Sequence, residues 1–191
     1  LEAFLQQLPR TASEAAHLAQ LHEHRFDERL GLEGETPEVP VDFPLRHALE
    51  VRHPSFMVPE FITMLRQFGF APVYTDHATY PNIADVTGDF VYARLQRGED
   101  TITTAYPPKE LDRWAKRLKI WASGGEPKDL PRIDEKNKLK STPRDVFAYV
   151  IHEGKVRAPA AAMALIGLGA AYFWQSWRSR QTDALFEKVR D

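Results

Sequence analysis

HALEVRHPSF, residues 47–56, joins a short apolar strand to three side chains that carry chemistry. Its apolar residues predict a strand over 47–51. Glu50, Arg52 and His53 lie at the exit of that strand. A carboxylate, a guanidinium and an imidazole at one strand end are typical of a functional site, although a buried ion pair with a capping histidine fits the same residues. The order of the segments that follow favours the functional interpretation.

Strands and helices alternate over the rest of the chain. Before the opening strand, the patterns indicate a helix at 1–8, a helix from about Thr11 to Leu30 and a loop at 31–44. After it they predict, in order, helix 59–68, strand 71–75, strand 90–95, helix 109–122, strand 146–151 and a long apolar helix. Short apolar strands joined by crossovers of this length pair in parallel. We therefore expect an α/β fold whose site lies beyond the carboxyl ends of its strands.

Composition narrows the class of protein. The chain has 191 residues, of which 43% are hydrophobic and 27% charged, enough for one globular domain with a sizeable core. Its formal net charge of −2 gives no general reason to expect nucleic-acid binding. The absence of cysteine excludes disulfides, thiolate zinc sites and a cysteine nucleophile, and it agrees with a cytoplasmic location.

Two segments raise the question of a partner. Residues 158–174 lack charged side chains, but they are barely long enough to span a membrane and rich in alanine, so a buried helix and no membrane contact are expected. Residues 126–144 are polar and mix basic with acidic side chains. They are interpreted as a solvated insertion, with a loop that contacts phosphate or RNA as the alternative.

The run Ala48 to Phe56 resembles the alanine–(Ile/Val)–Glu–Phe–Arg–His–x–Ser–Trp block of the YecE-like proteins, the domain-of-unknown-function family number 72. Later segments are similar to this family in the same order, from about residue 1 to 175. They are the strand ending at Asp76, the strand Phe90 to Leu95, the spacing of Tyr106, Leu111 and Trp114, and the strand Val146 to Ile151 with its alanine-rich helix.

Two departures from the family pattern bear on chemistry. Gln96 and Arg97 replace the family's His-Gly, which removes an acid/base or ligand group. Val150, Ile151 and His152 replace its Phe-Asn-Asn, which exchanges amides for an imidazole. If the family's pocket depends on those groups, this chain has altered or lost the chemistry.

The resemblance implies a TIM-barrel-like (β/α) fold, of which this chain corresponds to roughly the second half. Four strands cannot close an eight-stranded barrel. Either the opening strands of the barrel are missing from the sequence, which we expect, or the chain is a half-barrel that must pair with something else. Residues 1–180 are expected to form a single domain of this type, with the insertion at 126–144, and residues 181–191 a C-terminal tail.

The predicted site gathers polar side chains at or near the strand exits. Its catalytic candidates are Glu50, His53 and Asp76, and its ligand-binding candidates are Arg52, Arg94, Tyr106 and His152. Carboxylates are ionised at neutral pH and imidazoles titrate close to it, so such groups can serve in acid/base catalysis. Arginine binds phosphate and carboxylate in bidentate fashion. No metal site is predicted, since no tight ligand spacing occurs, and the sequence leaves any cofactor unknown.

Two functional hypotheses follow. The first is an enzyme or former enzyme with hydrolase- or isomerase-type acid/base chemistry on a small phosphate- or carboxylate-bearing compound. In it, Glu50 or His53 is the base, and Arg52 and Arg94 clamp the anion. The second is a non-catalytic binding or interaction protein whose strand-end charges are structural ion pairs. A closed network of Glu50 with both arginines would favour the second.

Overall fold

The computed structural model describes residues 1–20, 39, 41–137, 139–151 and 156–171. The chain divides into two compact units, Leu1–His47 and Ala48–Asp191.

The first unit contains two short helices, α1 (Glu2–Gln7) and α2 (Ala12–Gln20). The hydroxyl of Thr11 accepts a hydrogen bond from the backbone N–H of Glu14 at 3.2 Å, as expected for a residue that caps a helix. The remainder of the helix that the sequence predicts, as far as Leu30, lies outside the described residues.

The second unit is built on a parallel sheet that has four strands within the described residues. The strands run in the order of the chain and are β1 (Ala48–Leu49), β2 (Ala71–Asp76), β3 (Phe90–Leu95) and β4 (Asp145–Val150). The helices of this unit are α3 (Pro59–Phe68), α4 (Pro108–Ala122) and α5, which covers residues 158–171. The α/β class predicted from the sequence is therefore confirmed.

The aromatic side chains of α4 organise the core of this unit. Trp114 and Trp121 lie one above the other on the buried face of α4, and each packs against the ring of Tyr74 at a centroid distance of 5.7 Å. Ala161 and Leu165 of α5 join the same buried cluster. Large buried aromatic surfaces dominate the hydrophobic stabilisation of a core, so this face of the sheet is fixed by its helices.

The polar segment 126–144 is exposed over much of its length, but it is anchored to the unit. The buried carboxylate of Asp85 accepts hydrogen bonds from the backbone N–H groups of Ile133 and Asp134, both at 2.8 Å. Arg66 of α3 forms an ion pair with the side chain of Asp134. These contacts hold the middle of the segment against the loop that precedes β3.

α5 contains the described part, residues 158–171, of the apolar stretch that raised the question of a membrane span. In the part of the chain that the structure describes, no helix combines the length and the apolar character that crossing a membrane requires.

Two glycines with positive φ lie at the ends of α3 and α4, and substituting them tests the packing there. Gly69 ends α3 at φ +67°, and the space where a Cβ would lie is open. Gly124 follows α4 and has φ +88°. A Cβ on Gly124 would lie 2.6 Å from the carbonyl oxygen of Thr142. We expect Gly69→Ala to lower the free energy of unfolding by about 1 kcal/mol, the strain of the left-handed conformation. Gly124→Ala should cost about 3 kcal/mol, because overpacking adds to the same strain.

Urea denaturation of both variants measures the difference. Equal losses for the two alanines would show that Thr142 does not pack against Gly124 as described.

Candidate functional site

The carboxyl ends of β1, β2 and β3 lie side by side at one edge of the sheet. The parallel register pairs Ala48 with Ala71, and Thr75 with Arg94. Glu50 directly follows β1, so this order brings its carboxylate toward the guanidinium of Arg94 although 44 positions separate them in the chain. Strand order thus accounts for the first contact of the site.

The carboxylate of Glu50 is shared between two arginines. Nη1 of Arg94 donates to Oε2, and Nε of Arg52 donates to Oε1 at 3.0 Å. Burial acts to raise the pKa of Glu50, but the hydrogen bonds from Arg94 and Arg52 outweigh it and hold that pKa below its ordinary value. Glu50 is therefore an ionised, doubly paired group and a poor proton acceptor at neutral pH.

Arg52 is positioned by an aromatic stack as well as by Glu50. Its guanidinium carbon lies 4.9 Å from the centroid of the Tyr80 ring, and the His77 ring stacks on Tyr80 at 4.0 Å and 13°. His77 covers one face of Tyr80, so Arg52 occupies the other. The side chain of Arg52 is nevertheless 62% exposed, and its two Nη atoms have no hydrogen-bond partner among the described residues.

Asp76, at the end of β2, faces a different arginine. Its Oδ1 lies 3.3 Å from Nε of Arg97, whose Nη2 also donates to the carbonyl oxygen of His77 at 3.1 Å. Burial raises the pKa of Asp76, and the nearby positive charge of Arg97 offsets this effect only in part. Asp76 is therefore the carboxyl group of this cluster that holds a proton more readily than an ordinary aspartate.

The remaining predicted residues lie in different places. Tyr106 is buried, its hydroxyl oxygen accepts a hydrogen bond from the backbone N–H of Arg97 at 2.8 Å, and burial raises its pKa. His53 is exposed and accepts a hydrogen bond from the backbone N–H of Ser55 at 3.2 Å, capping the short 3₁₀ helix Pro54–Phe56. His152 lies outside the described residues.

The sequence predicts no role for Tyr80, His77 or Arg97. Tyr80 and His77 belong to a loop without hydrophobic periodicity, and only their three-residue spacing and aromatic character could have suggested a stack. In the sequence, Arg97 stands out only as a replacement for a family glycine. Beside it, Oε1 of Gln96 is buried without a hydrogen-bond partner among the described residues, a polar group that the sequence pattern could not place.

Metal ions and nucleic acids have less support in the geometry as ligands of this chain. Among the described residues, no three side chains of His, Asp or Glu come together as metal ligands. Within the segment 126–144, Arg132 pairs with Glu126, and Arg144 donates to the carbonyl oxygens of Gly124 and Gly125. These arginines are therefore used within the protein, and nucleic-acid binding by this segment stays a prediction.

Comparison with known proteins gives one match. A family model described as "Protein of unknown function DUF72" matches residues 1–182. No curated protein and no solved structure matches the chain.

The stability of the protein is expected to change in opposite directions when the carboxyl groups of Glu50 and Asp76 are neutralised. Glu50→Gln should lower the free energy of unfolding at neutral pH by about 1–2 kcal/mol, because two arginines lose their shared partner. The folded state lowers the pKa of Glu50, so this stabilisation is full above the ordinary pKa and is lost as the pH falls through the lowered value. The difference in free energy of unfolding between the variant and the parent should therefore disappear at acidic pH.

Asp76→Asn should keep or raise the stability at neutral pH. The folded state raises the pKa of Asp76, so its ionisation costs stability as the pH rises through the raised value, and the asparagine escapes that cost. Urea denaturation of both variants across the acid range tests this contrast. A stabilising Glu50→Gln or a strongly destabilising Asp76→Asn would contradict the assignment.

Proposed function

Since the chain belongs to the DUF72 family of proteins of unknown function, we propose a function from its site: it binds a small phosphate- or carboxylate-bearing ligand at the carboxyl ends of its strands. The observation that carries the proposal is the free edge of Arg52. Glu50 holds Nε and the ring of Tyr80 supports the plane of the guanidinium, while the side chain is 62% exposed and both Nη groups lack a hydrogen-bond partner among the described residues.

A guanidinium held in this way suits an anion. Free arginine side chains lose rotamer entropy when they bind, whereas a side chain already fixed by Glu50 and Tyr80 loses less. The two Nη groups form the outer part of the arginine fork, which can donate two parallel hydrogen bonds to phosphate or carboxylate oxygens.

Arg97 supplies a second cation, which is linked to the stack through His77. Its guanidinium donates to the carbonyl oxygen of His77, and the His77 ring stacks on the Tyr80 ring that supports Arg52. The side chain of Arg97 is 56% exposed. Arg52 and Arg97 thus both contact the His77–Tyr80 pair, and we propose Arg97 in place of Arg94 as the second cation of the clamp, because Arg94 is paired with Glu50.

The protonation chemistry favours binding over catalysis by Glu50. An ionised carboxylate between two arginines is a structural group, which supports the non-catalytic alternative. Asp76, whose pKa is raised, is the residue we propose for any acid/base step of hydrolase or isomerase type. His53 keeps a proposed role as a base only if a ligand reaches its exposed ring.

Two further attributes stay proposals. We propose that the four-stranded sheet is part of a TIM-barrel-like fold, in keeping with its parallel order and with polar groups at the carboxyl ends of its strands. A cytoplasmic location is proposed from the absence of cysteine.

Arg52→Ala should weaken the binding of inorganic phosphate about tenfold or more and leave the protein folded. The reason is that the variant removes the outer hydrogen-bond donors, whereas Glu50 retains Arg94 as a partner. Isothermal titration calorimetry measures the binding, and circular dichroism checks the fold.

Arg113→Ala is the matched control, because Arg113 is equally exposed and is also paired with a glutamate, on α4. Its phosphate binding should equal that of the parent. Equal phosphate binding by Arg52→Ala would refute the proposed function, and unfolding of that variant would assign Arg52 a structural role instead.

A further inference from the structure

A small cavity lies beside the Arg52 stack. It has a volume of about 240 Å³ and is lined by Pro54, Met57, Thr79, Tyr80, Pro81, Asn82 and Pro131. Most of these side chains are apolar, and the lining includes no charged residue. An apolar cavity of roughly 150 Å³ can hold a benzene molecule, so this one has room for a single six-membered ring.

Tyr80 joins the cavity to the cation. Arg52 and His77 cover the two faces of its ring, which leaves the edge of Tyr80 to line the cavity. The guanidinium carbon of Arg52 is 4.9 Å from the centroid of that same ring. A group inside the cavity and the guanidinium of Arg52 therefore both contact the ring of Tyr80.

The walls of the cavity are held in place by the backbone. Pro131 contributes to the lining, and its carbonyl oxygen accepts a hydrogen bond from the backbone N–H of Ala84 at 3.0 Å. Asn82 contributes as well, and its Nδ2 donates to the carbonyl oxygens of His77 and Tyr80, at 3.2 and 3.0 Å. A preformed cavity needs little ordering when a ligand enters it.

We infer that the ligand is an amphiphilic anion, with one compact ring or branched apolar group in this cavity and its phosphate or carboxylate on the outer edge of Arg52. The inference rests on the proposed anion site and adds the body of the ligand to it. Aliphatic and aromatic walls without a charged group favour an apolar body over a sugar, which would require several hydrogen-bond partners.

The test compares monoesters of equal charge on the full chain. Methyl phosphate and phenyl phosphate are titrated by calorimetry, and phenyl phosphate should bind about tenfold more tightly, the gain expected from burying much of one ring. Met57→Trp, which fills the cavity from its rim, should abolish this gain and leave the affinity for methyl phosphate unchanged. Val58→Trp places the same side chain at the neighbouring exposed position, outside the lining, and should keep the gain.

The outcomes separate the two proposals. If both esters bind equally to the parent chain, the apolar subsite is refuted and the anion site stands. If neither ester binds, both proposals fail. If phenyl phosphate binds Arg52→Ala as tightly as it binds the parent, the ring and the anion do not share a site, and the inference is overturned.

Discussion

The shared carboxylate of Glu50 is the interaction on which the site depends. One of its oxygens binds Arg94 from β3, and the other binds Arg52 in its own segment after β1. Glu50 is the common partner of both arginines, so removing this central anion leaves two cations facing each other. The network also explains why Glu50 is ionised and why Arg52 keeps a fixed orientation.

Side-chain stacking connects Arg52 to the loop that follows β2. Tyr80 lies between the guanidinium and His77, and the carbonyl of His77 in turn receives the side chain of Arg97. Each contact restricts the next, so a loop that lacks regular secondary structure carries a defined surface. The same loop lines a mostly apolar cavity to which Pro131 of the anchored segment 126–144 also contributes. Cation and cavity are thus adjacent because one tyrosine contributes to both.

Much of the fold could be predicted from local patterns. Pro59 and Gly69 mark the ends of α3, and the predicted strand 90–95 coincides with β3, because turn residues and apolar runs act over short distances. The meeting of Glu50 with Arg94 could also be anticipated from parallel strand order. The anchoring of the 126–144 segment by Asp85 could not, since a lone aspartate gives no sign of which distant backbone groups it will bind. Nor could the stack on Tyr80, which depends on the path of a loop.

The location of a bound anion tests this account most directly. A crystal of the chain soaked in tungstate, a heavy analogue of phosphate, would reveal the anion by anomalous scattering. The account predicts a peak within hydrogen-bond distance of the Nη atoms of Arg52, with the carboxylate of Glu50 still in contact with Arg52 and Arg94. Tungstate bound only elsewhere on the chain, or Glu50 turned away from both arginines, would contradict it.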